Sequence, residues 1–199
     1  MLRMTCAAAC LFVLAACGPQ APAPAPEAQE ATAGAPAGAC SAQASIDWAP
    51  LHDGDYRIEA KAAGPACDAG LATLTVTDNA GRVLYSGDHQ IEPMTNTIFA
   101  ESKTPQKLQA ALAEWIDPNG SNLHSTRALP DWPRGADAPA AGEFPFYPEE
   151  GTTRDAWLRL RAQDKPLYCF VQGGESLLCL VLDAQTGTLT PVGVQTFPG

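Results

Sequence analysis

Three short stretches bring chemically capable side chains together: His52-Asp53-Gly54-Asp55, Asp88-His89 and His124-Ser125-Thr126. Imidazole beside carboxylate is a donor set for a borderline or hard divalent metal, provided that separate stretches meet in space. Imidazole beside a hydroxyl is the beginning of a base–nucleophile pair. Asp and Gly next to His are equally the composition of turns that bound strands. We read the first two stretches as turns and assign no metal site. The third names no acid to orient its base. The chain contains no G-x-S-x-G, H-E-x-x-H, Walker loop or G-x-G-x-x-G. No catalytic residue and no cofactor is therefore expected, and the protein reads as a non-enzyme.

The remaining reactive side chains are seven cysteines. Cys6 and Cys10 lie in an apolar run from Cys6 to Ala16, which follows a short start containing Arg3. The run is too short to span a bilayer and suits the core of a signal peptide. It ends in Leu14-Ala15-Ala16-Cys17. This tetrapeptide resembles the lipobox of bacterial lipoproteins. The resemblance implies cleavage after residue 16 and a diacylglycerol on the Cys17 thiol. It also implies an acyl chain on the new amino group, enough in total for stable anchoring. The next residue is Gly18 rather than aspartate. In that class an aspartate there commonly retains the protein at the inner membrane, so the outer membrane is the expected address. The partner implied at this end is the membrane itself, through lipid.

From 18 to 39 the chain is Pro/Ala-rich, with Pro19, Pro22, Pro24, Pro26 and Pro36. Proline removes donors and clashes with a helical turn, so an extended spacer is expected, reaching at most about 65–70 Å. The organisation expected is a signal peptide over 1–16, a lipidated linker over 17–39 and one globular domain over 40–199, long enough for a hydrophobic core.

Four cysteines fall in that domain: Cys40, Cys67, Cys169 and Cys179. An even number in an exported chain reads as disulfides. Cys169 and Cys179 are each five residues from Gly174. If Gly173-Gly174-Glu175 closes a hairpin, its symmetry sets the two thiols directly opposite on neighbouring strands, within bridging distance. Elimination then pairs Cys40 with Cys67, fastening the end of the linker to the loop before a strand at 71–77. No C-x-x-C occurs, and a spacing of ten is not that of a zinc knuckle.

The elements that carry these residues read as mostly antiparallel. Tyr56 to Lys61 alternates apolar and charged; 71–77 is rich in Thr, Leu and Val; Asp78-Asn79-Ala80-Gly81 is a turn; Val83 to Ser86 returns. A meander over 55–88 follows. Over 104–117, Leu108, Ala111, Leu112, Trp115 and Ile116 form one helical stripe behind a Thr104 cap and Pro105 at the first helical position. Trp115 is expected to pack in the core. Residues 153–163 alternate with period two and read as a strand, with a helix capped by Thr152 or Thr153 as the competing reading. Apolar runs at 167–172 and 176–182, then 188–197, complete a meander of three or four strands. The fold class expected is α+β, mostly antiparallel β, as two meander sheets or one larger sheet with the single helix.

Between 124 and 151 lies an irregular, proline-rich stretch with Trp132, Phe144, Phe146 and Tyr147 among acids. Such a loop is either a contact surface for a basic protein or is pinned to the core by its own aromatics. Net charge is −10. That disfavours nucleic acid and anionic headgroups as direct partners and suits solubility or a basic partner. The function expected is a lipid-anchored, non-catalytic binding or accessory protein of the envelope. The alternatives are an assembly factor of an envelope complex, an inhibitor of a basic lytic enzyme, and a hydrolase.

Overall fold

Alternation along the chain sorts most strands into a buried row and an exposed row, and two sheets result. The structure is a computed structural model; it describes residues 39–50, 54–139 and 144–197. Cys17, His52 and Asp53 lie outside the described residues. All described residues belong to one compact unit.

The first sheet is a four-stranded antiparallel meander, β1 (Cys40–Trp48), β2 (Tyr56–Ala66), β3 (Ala69–Asp78) and β4 (Val83–Gln90), in the order β1-β2-β3-β4. The register puts Ile58 opposite Val76, Ala60 opposite Leu74 and Ala62 opposite Ala72. These six side chains are buried on one face, while Arg57, Glu59, Lys61, Thr73, Thr75 and Thr77 occupy the intervening positions on the other. Asp78 builds the β3–β4 turn, accepting from the N–H groups of Ala80 and Arg82 at 3.0 and 2.9 Å. β4 runs on through Asp88 and His89, which the sequence reading placed in a turn; both are strand residues, opposite Thr73 and Ala72. The first strand was not anticipated at all. Its inward row is Ala42, Ala44, Ile46 and Trp48, and alanine is a weak strand signal.

Helix α1 (Pro105–Trp115) packs on β1. Thr104 Oγ1 caps it by accepting from Lys107 N–H at 3.3 Å, and Pro105 occupies the first turn as expected. Leu108, Ala111, Leu112 and Trp115 are its buried stripe.

The second sheet contains β5 (Phe146–Pro148), β6 (Leu167–Gly173), β7 (Ser176–Asp183) and β8 (Thr188–Thr196), all antiparallel, in the order β5-β8-β7-β6. Tyr168, Phe170, Leu180, Leu182 and Leu189 share a core with the first sheet and α1. Leu167, Cys169, Leu177, Cys179 and Val192 share another with Leu129, Trp132, Phe146 and Trp157. The sheet is thus a middle layer with both faces covered, which is why β6 and β7 read as near-continuous apolar runs rather than alternating ones. Gly193 sits where β8 meets β5 with φ of +146°, and a Cβ there would run into the Tyr147 carbonyl.

Residues 154–162 correct the strand reading: they form helix α2 (Arg154–Ala162). Thr153 caps it, accepting from Ala156 N–H at 3.2 Å; Asp155 lies in the first turn, Arg159 and Arg161 in the last. The charges complement the helix dipole, and Ala, Leu and Arg favour the helix. The period-two pattern misled because only Trp157 is fully buried.

Both disulfides form as paired from the sequence. Cys169 faces Cys179 in register, with Cα atoms 4.1 Å apart. Cys40, the first residue of β1, joins Cys67 in the β2–β3 turn, with Cα atoms 5.0 Å apart. Two structural disulfides are the mark of an oxidising, extracytoplasmic compartment. Among the described residues no helix is long and apolar enough to cross a membrane.

Candidate functional site

The histidine stretches do not assemble a reactive centre among the described residues. Asp88 points outward and accepts from Thr73 Oγ1 at 2.6 Å. His89, one residue on, points inward. Its ring meets Trp115 and Phe170 edge-on, with centroids 5.4 and 5.1 Å away. Its Nε2 is buried without a hydrogen-bond partner. Burial pushes its pKa below the ordinary imidazole value, against the smaller opposing pull of the Asp88 charge. Half-buried against these two rings, His89 serves packing rather than a reactive centre. Ser125 Oγ donates to Asp164 Oδ1 at 2.7 Å rather than to His124. No group of three or more His, Cys, Asp or Glu among the described residues is arranged to hold a metal ion.

The loop aromatics divide into two kinds. Trp132 and Phe146 are buried against Trp157, with centroids 6.3 and 5.4 Å from it. Helix α2 holds the loop backbone through three donors. Trp157 Nε1–H donates to Pro130 C=O at 2.9 Å, Arg154 Nε–H to Trp132 C=O at 2.7 Å, and Arg161 Nε–H to Leu129 C=O at 2.9 Å. These satisfy carbonyls that a loop on a core would otherwise leave unpaired. Phe144 and Tyr147 remain 44% and 56% exposed, and the Phe144 ring touches Phe197. The reading that the loop's aromatics pin it to the core holds for Trp132 and Phe146, while Phe144 and Tyr147 are left at the surface.

A cleft of about 520 Å³ lies at the free edge of β6, and sequence reasoning did not find it. Its floor is Trp115, Phe170 and Val171, with Ile98 and Leu177; its rim carries Glu101, Glu114 and Asp117. Trp115 packs in the core as expected, yet also faces this space. The ladder fixes the direction of the strand's polar groups. Leu182 N–H donates to Pro166 C=O at 2.9 Å, so these two residues form a hydrogen-bonded pair. Alternation makes 168/180 and 170/178 hydrogen-bonded pairs and leaves 167/181, 169/179 and 171/177 as the others. The close Cα approach of Cys169 and Cys179 agrees. The N–H and C=O groups of Leu167, Cys169 and Val171 thus point away from β7, at the edge of β6 that no named strand covers and that a Ser125–Pro166 bridge flanks at its start.

Some of them are satisfied: Leu167 N–H donates to His124 C=O at 3.0 Å, and Trp115 Nε1–H donates to Val171 C=O at 2.6 Å. The N–H and C=O of Cys169 and the N–H of Val171 have no protein partner among the described residues. Cys169 is only 3% exposed. Main-chain groups this deep in a protein are normally paired.

The rim is electrostatically one-sided. Glu101 is paired with Lys107 Nζ at 2.9 Å, which together with the Lys107 charge holds its carboxyl below the usual range. No ion pair among the described residues engages Glu114 or Asp117; Asp117 Oδ1 accepts from the N–H and side-chain amide of Asn119, at 2.9 and 3.1 Å. The C-terminal, negative end of α1 lies at the same place, with no basic residue in its last turn. A second cleft beside Trp48 and Tyr56 is also lined by acids, but two of its three, Asp47 and Asp78, are paired with Arg57 and Arg82, each at 3.0 Å, which leaves Asp55. The uncompensated acids at the end of α1 were the one sequence signal for the β6 cleft.

No family model, no curated protein and no solved structure matches the chain.

Proposed function

We propose that this is a lipid-anchored envelope protein, acylated at Cys17 and carried to the outer membrane, whose domain is a non-catalytic binding or accessory module for a basic protein partner. The observation that carries the binding reading is the β6-edge cleft: an aromatic floor under a rim on which Glu114 and Asp117 have no ion-pair partner among the described residues, while Glu101 is paired with Lys107. Such a rim attracts cationic groups and repels nucleic acid and anionic lipid headgroups. The disulfides and the lipobox resemblance support the address. The proline tract would let the domain work tens of ångströms from its anchor.

One further observation favours a second reading, an assembly factor held through the other edge of the same sheet. Phe144 and Tyr147 are exposed beside the short edge strand β5. The two readings separate in cells. A photoreactive residue at Ala100, exposed on the cleft wall, should yield a defined adduct with a basic protein. Adducts from Phe144 alone would favour the assembly role, and none from either position would remove both. Labelled palmitate should enter the chain and be lost in Cys17→Ser; unchanged labelling would overturn the anchor.

A further inference from the structure

We propose that the β6-edge cleft accepts an extended, lysine- or arginine-bearing segment of a protein partner as an added strand, an inference that rests on the reading of this cleft as the binding surface. The unpaired groups are those a neighbouring strand would use. Cys169 offers an N–H and a C=O on the same side, and Val171 adds an N–H two residues on. An incoming segment thus gains three main-chain hydrogen bonds in either direction. The opening is bounded at both ends, by Leu167 N–H on His124 C=O at 3.0 Å and by Gly174 N–H on Pro93 C=O at 2.9 Å. Trp115 already occupies the Val171 carbonyl. Only a short segment fits, of about three residues at about 3.3 Å each.

Charge selects its side chains. Successive residues of a strand point to opposite sides. One set meets Glu114, Asp117, Ile98 and the negative end of α1; the other meets Val171 and Leu177. Alternating basic and small apolar or β-branched residues match both. Glu101 contributes less, since Lys107 partly neutralises it. The occupant must therefore bring its own positive charge and a bare main chain, which a folded basic surface or a free cation does not.

The test is an amide-shift and hydrogen-exchange titration of the 15N-labelled full-length chain. The probe is the blocked peptide acetyl-Thr-Lys-Val-Lys-Thr-amide; its counterpart carries Glu for Lys. The lysine peptide should move the Cys169 and Val171 amides saturably and slow their exchange about tenfold or more. The glutamate peptide should not. Glu114→Gln with Asp117→Asn, which keeps the oxygen that caps Asn119, should weaken binding about three- to fivefold at low salt, the worth of partly exposed charge pairs. Methylating the central peptide nitrogen should reduce the response while leaving the charge intact. Strand addition is overturned if 5 mM lysine peptide leaves both amides unmoved, or if the glutamate peptide acts equally. It is also overturned if calcium chloride alone reproduces the shifts, which would make the cleft a cation site. A silent peptide alongside a basic adduct from Ala100 would remove strand addition and leave the binding reading standing.

Discussion

Replacing Trp157 by Phe tests whether α2 holds the 124–151 loop on the core. The substitution keeps an aromatic ring against Trp132 and Phe146 but deletes the Nε1–H donor to Pro130 C=O. Pro130 is half-buried, so water reaches its carbonyl in part, and the lost hydrogen bond costs about 1 kcal/mol. Trp157 itself is fully buried. The vacated part of the indole leaves the equivalent of one or two methylenes unfilled, about 1–2 kcal/mol including the cavity. Together these predict a destabilisation of about 2–3 kcal/mol. Urea unfolding of the full-length chain should show it as a midpoint lowered by roughly 1–1.5 M, at a slope near 2 kcal/mol/M. Protease cleavage at the exposed stretch 133–138 should also speed up. A midpoint shift below about 0.25 M with unchanged cleavage would refute the claim that this tryptophan anchors the loop.

Loop-closure entropy predicts that Cys40→Ala/Cys67→Ala costs about 3.6 kcal/mol and Cys169→Ala/Cys179→Ala about 2.7 kcal/mol before packing losses, for sequence separations of 27 and 10. Thermal unfolding of each pair against the parent measures this, and an undiminished midpoint in either would contradict it. Thr153→Ala should destabilise by about 1 kcal/mol through loss of the α2 cap, read by the same melts, and Thr153→Asn should restore most of it. The Asp183 carboxyl is held below its usual value by the hydrogen bond from Lys165 Nζ at 2.6 Å and by the Thr186 N–H. A carboxylate with a depressed folded pKa stabilises above the unfolded value near 4 and loses that contribution as pH falls through the folded value. Lys165→Met should raise the Asp183 titration followed by carboxyl 13C shifts; no rise would exclude the pair as its cause. His89 has a depressed pKa as a base, so the unfolded chain binds its proton first and stability falls as pH drops below about 6.5. In His89→Phe that slope should flatten; an identical slope would place it elsewhere.

What could be read from the chain was whatever local chemistry alone determines. The Gly174 symmetry placed Cys169 opposite Cys179, because hairpin register follows from turn position. Thr104, Pro105 and the 108–116 stripe marked α1 to within two residues of its end. The failures share a different cause. β1 was invisible because Ala42 and Ala44 are inward for the sake of a close helix, which only tertiary structure reveals. At 154–162 alternating Leu and Arg imitated a strand, although one tryptophan supplies the fully buried contact. Asp88 and His89 looked like a turn; the strand continues because His89 has an aromatic pocket to enter. The cleft was out of reach for the same reason. Its walls come from 97–101, 114–120 and 169–177, separate segments that meet only in the folded chain.

The proposed role of the acidic cleft at the β6 edge is to receive a basic partner in the envelope. It is tested most directly by in-cell photocrosslinking from Ala100, comparing the natural chain with Glu114→Lys. That substitution lies on an exposed position in the last turn of α1, where a basic residue suits the helix dipole and the fold should hold. An adduct with a basic protein should form in the natural chain and be lost in Glu114→Lys at equal expression. An adduct of unchanged yield in Glu114→Lys would contradict that role.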